Sequence, residues 1–157
     1  MNLNHNVNLL LKFKLTQKTY CLLHSVIALI FPGSKLATVE MVGVSGCADD
    51  AKECVLKRNT NATISIDFTP SEDVTNIESQ VHGVIMNLPV PFPLSQPDAC
   101  KDNGITCPLK KGEKASYRTT LPVLKSYPQV RVDVKWELKN SDTGEDLVCV
   151  LIPAKIK

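Results

Sequence analysis

The chain has 157 residues, 43% of them hydrophobic and 22% charged, which leaves room for one domain with a real hydrophobic core. Its formal net charge is only +2 and its lysines are scattered, so a phosphate-tracking basic stripe is excluded and no nucleic-acid partner is expected.

Residues 21–31, CLLHSVIALIF, follow Lys12, Lys14 and Lys18. A basic stretch ahead of an apolar run is the order of a secretory signal, and the run is too short to cross a bilayer. The leading MNLNHNVNLLLKFKLTQKTY is long, however, and no small-x-small cleavage site follows. An unusual signal peptide, an amphipathic extension and an incorrect start all stay open. Residues 1–30 are therefore set apart as a signal-like or atypical segment, and the fold is assigned to residues 31–157.

From residue 35 the pattern is β throughout, with no helical periodicity. Strands are predicted at 37–45, 62–69, 79–87, 115–121, 129–138 and 147–156. Ile64, Ile66 and Phe68 share one face of the second. Val130, Val132, Val134, Trp136 and Leu138 share one face of the fifth, with Arg131, Asp133, Lys135 and Glu137 opposite. Such alternation marks half-buried antiparallel strands. Turn-rich stretches separate them, and the predicted class is all-β, with two packed antiparallel sheets.

Cys47–Cys54 and Cys100–Cys107 share the spacing C-x6-C, each around turn residues and without a histidine inside. Two short disulfide loops are predicted, and these need an oxidising compartment. Zinc sites would show tighter cysteine pairs or nearby histidines. Asn61-Ala62-Thr63 is a glycosylation sequon, which points to the same compartment.

Residues 89–100, PVPFPLSQPDAC, and 121–130, LPVLKSYPQV, mix prolines with Val90, Phe92, Val123 and Tyr127. Proline removes a ladder donor, so both stretches are predicted as stiff sheet edges or connections. Their apolar side chains either line an opening between the sheets or close the end of the core. Both readings stay open at this point.

No catalytic constellation is evident. His5 and His24 lie in the atypical segment, and His82 stands alone in a strand, where a structural role is expected. Asp49-Asp50, Glu72-Asp73 and Glu145-Asp146 are predicted as solvated turn residues. The chain has no G-x-S-x-G, H-E-x-x-H, P-loop or calcium loop. Neither enzymatic activity nor a cofactor or metal is expected.

V-H-G-V-I-M-N-L-P-V-P-F-P (81–93), C-x6-C-P (100–108), L-P-V-x-x-x-Y-P (121–128), V-x-W-x-L (134–138) and V-C-x-x-x-P (148–153) occur in that order. Together they resemble the cholesterol-binding, Niemann–Pick type C2 branch of the ML lipid-recognition domain family, which includes the group 2 mite allergens. The resemblance covers residues 33–157. It implies an immunoglobulin-like β-sandwich whose two antiparallel sheets splay around a hydrophobic lipid pocket. It places Phe92, Val123 and Tyr127 at the pocket mouth, with Val90 and Trp136 lining or supporting the pocket. It makes His82, Gly83, Val84, Met86 and Leu88 an exposed apolar stretch for docking to the lysosomal membrane and to a Niemann–Pick type C1-like transporter. The implied function is non-catalytic sterol binding and transfer, in a secreted, extracellular or lysosomal setting. Carriage of fatty acids, semiochemicals or microbial lipids is the alternative within lipid binding. A ligand-free extracellular interaction module with a filled core is the alternative outside it.

The chain departs from the family pattern in several places. A family disulfide joins a D-C-G-S-like motif to the cysteine of the last strand. Here that motif reads Phe31-Pro32-Gly33-Ser34. Cys149 is thereby expected to lack its usual partner, with Cys21 the only spare thiol, and both are expected to be unpaired or atypical. Asn87 replaces a family glycine, and Val150 stands where the cholesterol carrier has tryptophan.

Overall fold

The computed structural model describes residues 34–48 and 50–157, so the expectations placed on residues 1–30 and on Cys21 lie outside the described residues. Eight strands, and no helix among the described residues, form the domain: β1 (Ala37–Val44), β2 (Cys54–Leu56), β3 (Thr60–Pro70), β4 (Ile77–Ile85), β5 (Leu88–Phe92), β6 (Ala115–Val123), β7 (Arg131–Asn140) and β8 (Asp146–Ile156). They build a three-stranded sheet in the order β1-β3-β6 and a five-stranded sheet in the order β2-β8-β7-β4-β5. All pairs are antiparallel except β2 with β8, which is parallel.

The predicted alternation sets which side chains meet between the sheets. Ile64, Ile66 and Phe68 of β3 are buried, as are Ala115 and Tyr117 of β6. Facing them, Val132, Trp136 and Leu138 of β7 and Val148, Val150 and Ile152 of β8 are buried too. Each fully buried side chain of this kind contributes about 1.5–3 kcal/mol.

All six predicted strands are present with ends shifted by one or two residues, and two departures have local reasons. The strand predicted at 79–87 stops at Ile85, because Met86 and Asn87 both take positive φ, 50° and 66°, and form a two-residue hairpin turn. Turns of that left-handed type match the twist of the flanking strands. Asn87 suits the position, since asparagine tolerates the left-handed region. β5 begins at Leu88, so part of the proline-rich stretch is a strand after all. It lies at the sheet edge, paired with β4 alone. Pro89 and Pro91 share one side of β5 by its period of two. The ladder to β4 draws its donors from Leu88, Val90 and Phe92, and the prolines face the open side.

Cys47 is bonded to Cys54, and Cys100 to Cys107. The second loop packs on β6. Arg118 N–H donates to Asn103 O at 2.8 Å, and Asn103 Nδ2 donates to Lys101 O at 2.8 Å and to Asp98 O at 3.1 Å. The expectation that Cys149 is unpaired is corrected: it is disulfide-bonded. The first described residues run beside it. Cys149 N–H donates to Ser34 Oγ at 3.0 Å, and the N–H groups of Lys35 and Leu36 both reach Asp146 O at 3.3 Å. The start of the domain is thus laid against β8 by hydrogen bonds even though Pro32 stands at the family's cysteine position.

Gly104 holds the second loop close to β6. Its φ is +81°, and a Cβ there would sit 2.8 Å from Ser116 O. Gly104→Ala is therefore expected to lower stability by about 2 kcal/mol or more, from left-handed strain plus a backbone clash. Urea denaturation checks this; an unchanged midpoint would show that the loop can move off β6 freely.

Candidate functional site

The core is filled at one end of the sandwich and open at the other. Along β3, Phe68 and Ile66 are fully buried, whereas Ile64 lines a cavity. Along β7, Leu138 is fully buried, Trp136 sits at the boundary, and Val134 and Val132 line the cavity. Along β6, Tyr117 is fully buried, and Leu121 and Val123 line the cavity. The cavity has a volume of about 340 Å³ and an almost wholly apolar lining. Its inner limit is a contact between the sheets. The rings of Tyr117 and Trp136 lie 6.0 Å apart at 57°, and Ser79 Oγ donates to Tyr117 Oη at 3.0 Å. Burial pushes the Tyr117 phenol pKa up, with the Ser79 hydroxyl offsetting part of the shift.

All five residues expected at the pocket, Phe92, Val123, Tyr127, Val90 and Trp136, line this one cavity. Phe92 ends β5. Tyr127 sits in the turn after β6, where its N–H donates to Leu124 O at 3.1 Å. The two rings meet edge to face across the mouth, with centroids 6.1 Å apart at 82°. Sequence reasoning missed the wall contributed by Cys54 and Leu56 of β2, because a three-residue strand is too short to show a period. It also gave weight to Val150, which is fully buried beside Trp136 in register and is not part of the lining.

The docking stretch divides. Met86 and Leu88 at the hairpin tip are 91% and 68% exposed, and Val90 beside them is 52% exposed. Gly83 is half-buried, and a Cβ there would lie 3.2 Å from Val132 Cγ2. Val84 is corrected: it is 8% exposed. Its strand is central, so Pro89 of β5 and Asp133 of β7 flank it in register on both sides.

His82 is half-buried on the outer face of the five-stranded sheet, its Nδ1 3.6 Å from Glu137 Oε2. Glu137 is 4% exposed and carries a charge network. Its Oε1 meets Lys135 Nζ at 2.9 Å and Lys139 Nζ at 3.2 Å, and Lys139 Nζ also meets Asp146 Oδ1 at 2.6 Å. Asp146, expected to be a solvated turn residue, instead opens β8 inside this network. Burial holds its carboxyl pKa above the ordinary value, with Lys139 offsetting part of the effect. Glu137, Asp146 and Cys149 place potential metal-ligand atoms within 4.8 Å of one another. The sulfur is tied up in a disulfide and lysines engage both carboxylates, so the cluster reads as an ion-pair network.

Comparison with known proteins gives concordant results. Residues 32–156 match the family model described as ML domain. The ecdysteroid-regulated 16 kDa protein of Manduca sexta is 70% identical over 124 residues, covering 79% of this chain and 84% of that protein. The NPC intracellular cholesterol transporter 2 homolog a of Drosophila melanogaster is 50% identical over 125 residues, 80% of this chain and 84% of its own length. The crystal structure of a Niemann-Pick type C2 protein from Japanese carpenter ant superposes with a TM-score of 0.79 at 37% identity, covering 83% of this chain and all of that one.

The Asp146 environment has a testable sign. With its pKa raised on folding, the folded chain holds this proton more readily than the unfolded chain. The group then costs stability once ionised, and that cost disappears as pH falls through the folded-state value. In urea titrations at a series of pH values, the stability of Asp146→Asn relative to wild type is expected to shift in the variant's favour as pH rises through the window above 3.8. A flat difference, or one of opposite slope, would contradict the raised value.

Proposed function

The chain belongs to the ML domain family, and on that premise we propose that it is a non-catalytic lipid carrier that takes a sterol into the cavity between its sheets and passes it on. The observation that carries this reading is the almost wholly apolar cavity of about 340 Å³, lined by Phe92, Tyr127 and Trp136, with the Phe92–Tyr127 contact at its mouth. Such a site binds by shape and area removed from water. A sterol burying on the order of 400 Å² would gain about 10 kcal/mol before association costs. The lining offers no cluster of partners for a buried hydroxyl, so the ligand's polar end stays at the mouth. The name of the Drosophila relative, a homolog of an intracellular cholesterol transporter, supports sterol over other lipids.

Transfer requires that the ligand never cross water exposed. Met86, Leu88 and Val90 supply an apolar hairpin beside the mouth, and its natural counterpart is a membrane surface. We assign docking to this hairpin, together with His82 and Gly83 of the same β4–β5 pair. A Niemann–Pick type C1-like transporter is the proposed protein partner and the lysosomal lumen or extracellular space the proposed setting. The two internal disulfides fit an oxidising compartment. Asn61 is exposed at the start of β3 on the outer face of the small sheet and is proposed as an N-glycan acceptor.

Mass spectrometry of lipids extracted from the purified protein tests the central reading. A sterol supports it, a fatty acid or microbial lipid would redirect it within lipid binding, and a ligand-free protein that takes up none would defeat it. Phe92→Ala and Tyr127→Ala are each expected to weaken sterol binding about tenfold, equivalent to about 1.4 kcal/mol, with a smaller loss of thermal stability. Unchanged affinity in a folded variant would remove these residues from the mouth. Met86→Asp with Leu88→Asp should leave equilibrium sterol binding intact and slow transfer between vesicles by several fold. Equal transfer rates would move docking elsewhere.

A further inference from the structure

Arg58 lies outside the cavity lining yet is bound to the element that closes the mouth. It occupies the turn between β2 and β3, where its own N–H donates to Lys157 O at 2.8 Å. The next residue, Asn59, takes a φ of 64° and donates its N–H to Val123 O at 2.6 Å. The turn is therefore fixed to the chain beyond β8 on one side and to β6 on the other. From this base the Arg58 side chain reaches the turn after β6. Its Nη1 donates to Lys125 O at 3.2 Å and to Tyr127 O at 3.4 Å. Two carbonyls of one short turn are thus gathered on one guanidinium. The second belongs to Tyr127, whose ring makes the edge contact with Phe92.

We propose that Arg58 is a positioning residue that holds the 124–127 turn, and with it Tyr127, across the mouth, and so sets how fast ligand enters and leaves. The proposal rests on the carrier reading of the cavity. The chemistry favours arginine here: both contacts come from Nη1, whose two N–H groups are held in the rigid guanidinium plane, whereas a lysine ammonium on a flexible stem holds the carbonyls less firmly. Because Arg58 is not among the lining residues, its loss leaves the sterol's own contacts in place. It should raise the rates of uptake and release together and change the equilibrium affinity much less.

Two measurements on Arg58→Gln and Arg58→Lys test this. The first is amide hydrogen exchange at Tyr127 in the ligand-free protein, since that N–H closes the turn. Exchange is expected to accelerate by several fold in Arg58→Gln and less in Arg58→Lys. The second is stopped-flow uptake and release of a fluorescent sterol. Both rates should rise by several fold in Arg58→Gln with a nearly constant ratio, and Arg58→Lys should restore part of the wild-type behaviour. A variant that merely loses global stability would speed exchange across the whole sandwich rather than at this turn. Unchanged exchange at Tyr127 overturns the proposal, as does faster exchange with unchanged sterol release. If the wild-type protein takes up no sterol, the failure falls on the carrier reading, and exchange at Tyr127 still decides whether Arg58 holds the turn.

Discussion

The structure turns on the contact between Tyr117 and Trp136 in the middle of the sandwich. Tyr117 comes from the three-stranded sheet and Trp136 from the five-stranded one, and the Ser79 hydroxyl donates to the phenol from β4. Two large rings meeting there separate a filled core, with Phe68 and Leu138, from an open one, with Ile64, Val123 and Val132. An apolar cavity of about 340 Å³ is costly for a protein to keep between its sheets. The side chains that line it forgo the contacts that a filled core would give them. Native domains are only marginally stable, so the filled half must be well packed to tolerate the loss. A ligand of matching shape would offset most of that cost, which is a physical reason for the carrier and its cargo to stabilise each other.

The hairpin beside the mouth faces an opposing constraint. The docking proposed for it calls for exposed apolar side chains on a sheet edge, and an exposed apolar edge invites pairing with another chain. β5 resolves the conflict by separating side chains from backbone. Leu88 and Val90 present apolar surface, while Pro89 and Pro91 leave the open side without donors. The Met86–Asn87 turn adds a left-handed methionine that is almost fully exposed. A buried core gains nothing from such a residue, and glycine would fit the backbone better.

Much of this was legible in the sequence. The long alternation of residues 130–138 sets the inner face of β7, and that face became the cavity wall. The prolines of residues 89–93 placed that segment at an edge, although they also hid the strand, because a strand using only alternate donors looks like a broken one. Periodicity left open whether Phe92 and Tyr127 close a core or a cavity; the answer depends on how far apart the sheets stand, which no local pattern encodes. Other features were illegible for similar reasons. β2 is too short to show a period. Val84 reads as an exposed residue until β5 and β7 are placed on both sides of it. Asp146 reads as a turn residue until Lys139 and Glu137 come together from the neighbouring strand. Cys149 was judged from the missing cysteine of a motif, whereas its bonding depends on the chain path through space.

The two short disulfides suggest how the mouth can be both shaped and easy to open. Cys47–Cys54 pins the start of β2, whose Cys54 and Leu56 form one wall. Cys100–Cys107 pins the chain downstream of Phe92, where the loop is also bonded to β6. The two crosslinks lie beside opposite edge strands of the five-stranded sheet, and neither ties β5 to the turn that carries Tyr127. Across the mouth itself the link between Phe92 and Tyr127 is an edge-to-face ring contact, worth about 1 kcal/mol. A contact of that size holds the two rings together only several-fold, so an arriving apolar ligand with about ten times that energy at stake parts them readily. One wall is fixed covalently at Cys54, and the contact across the mouth is weak where the ligand must pass.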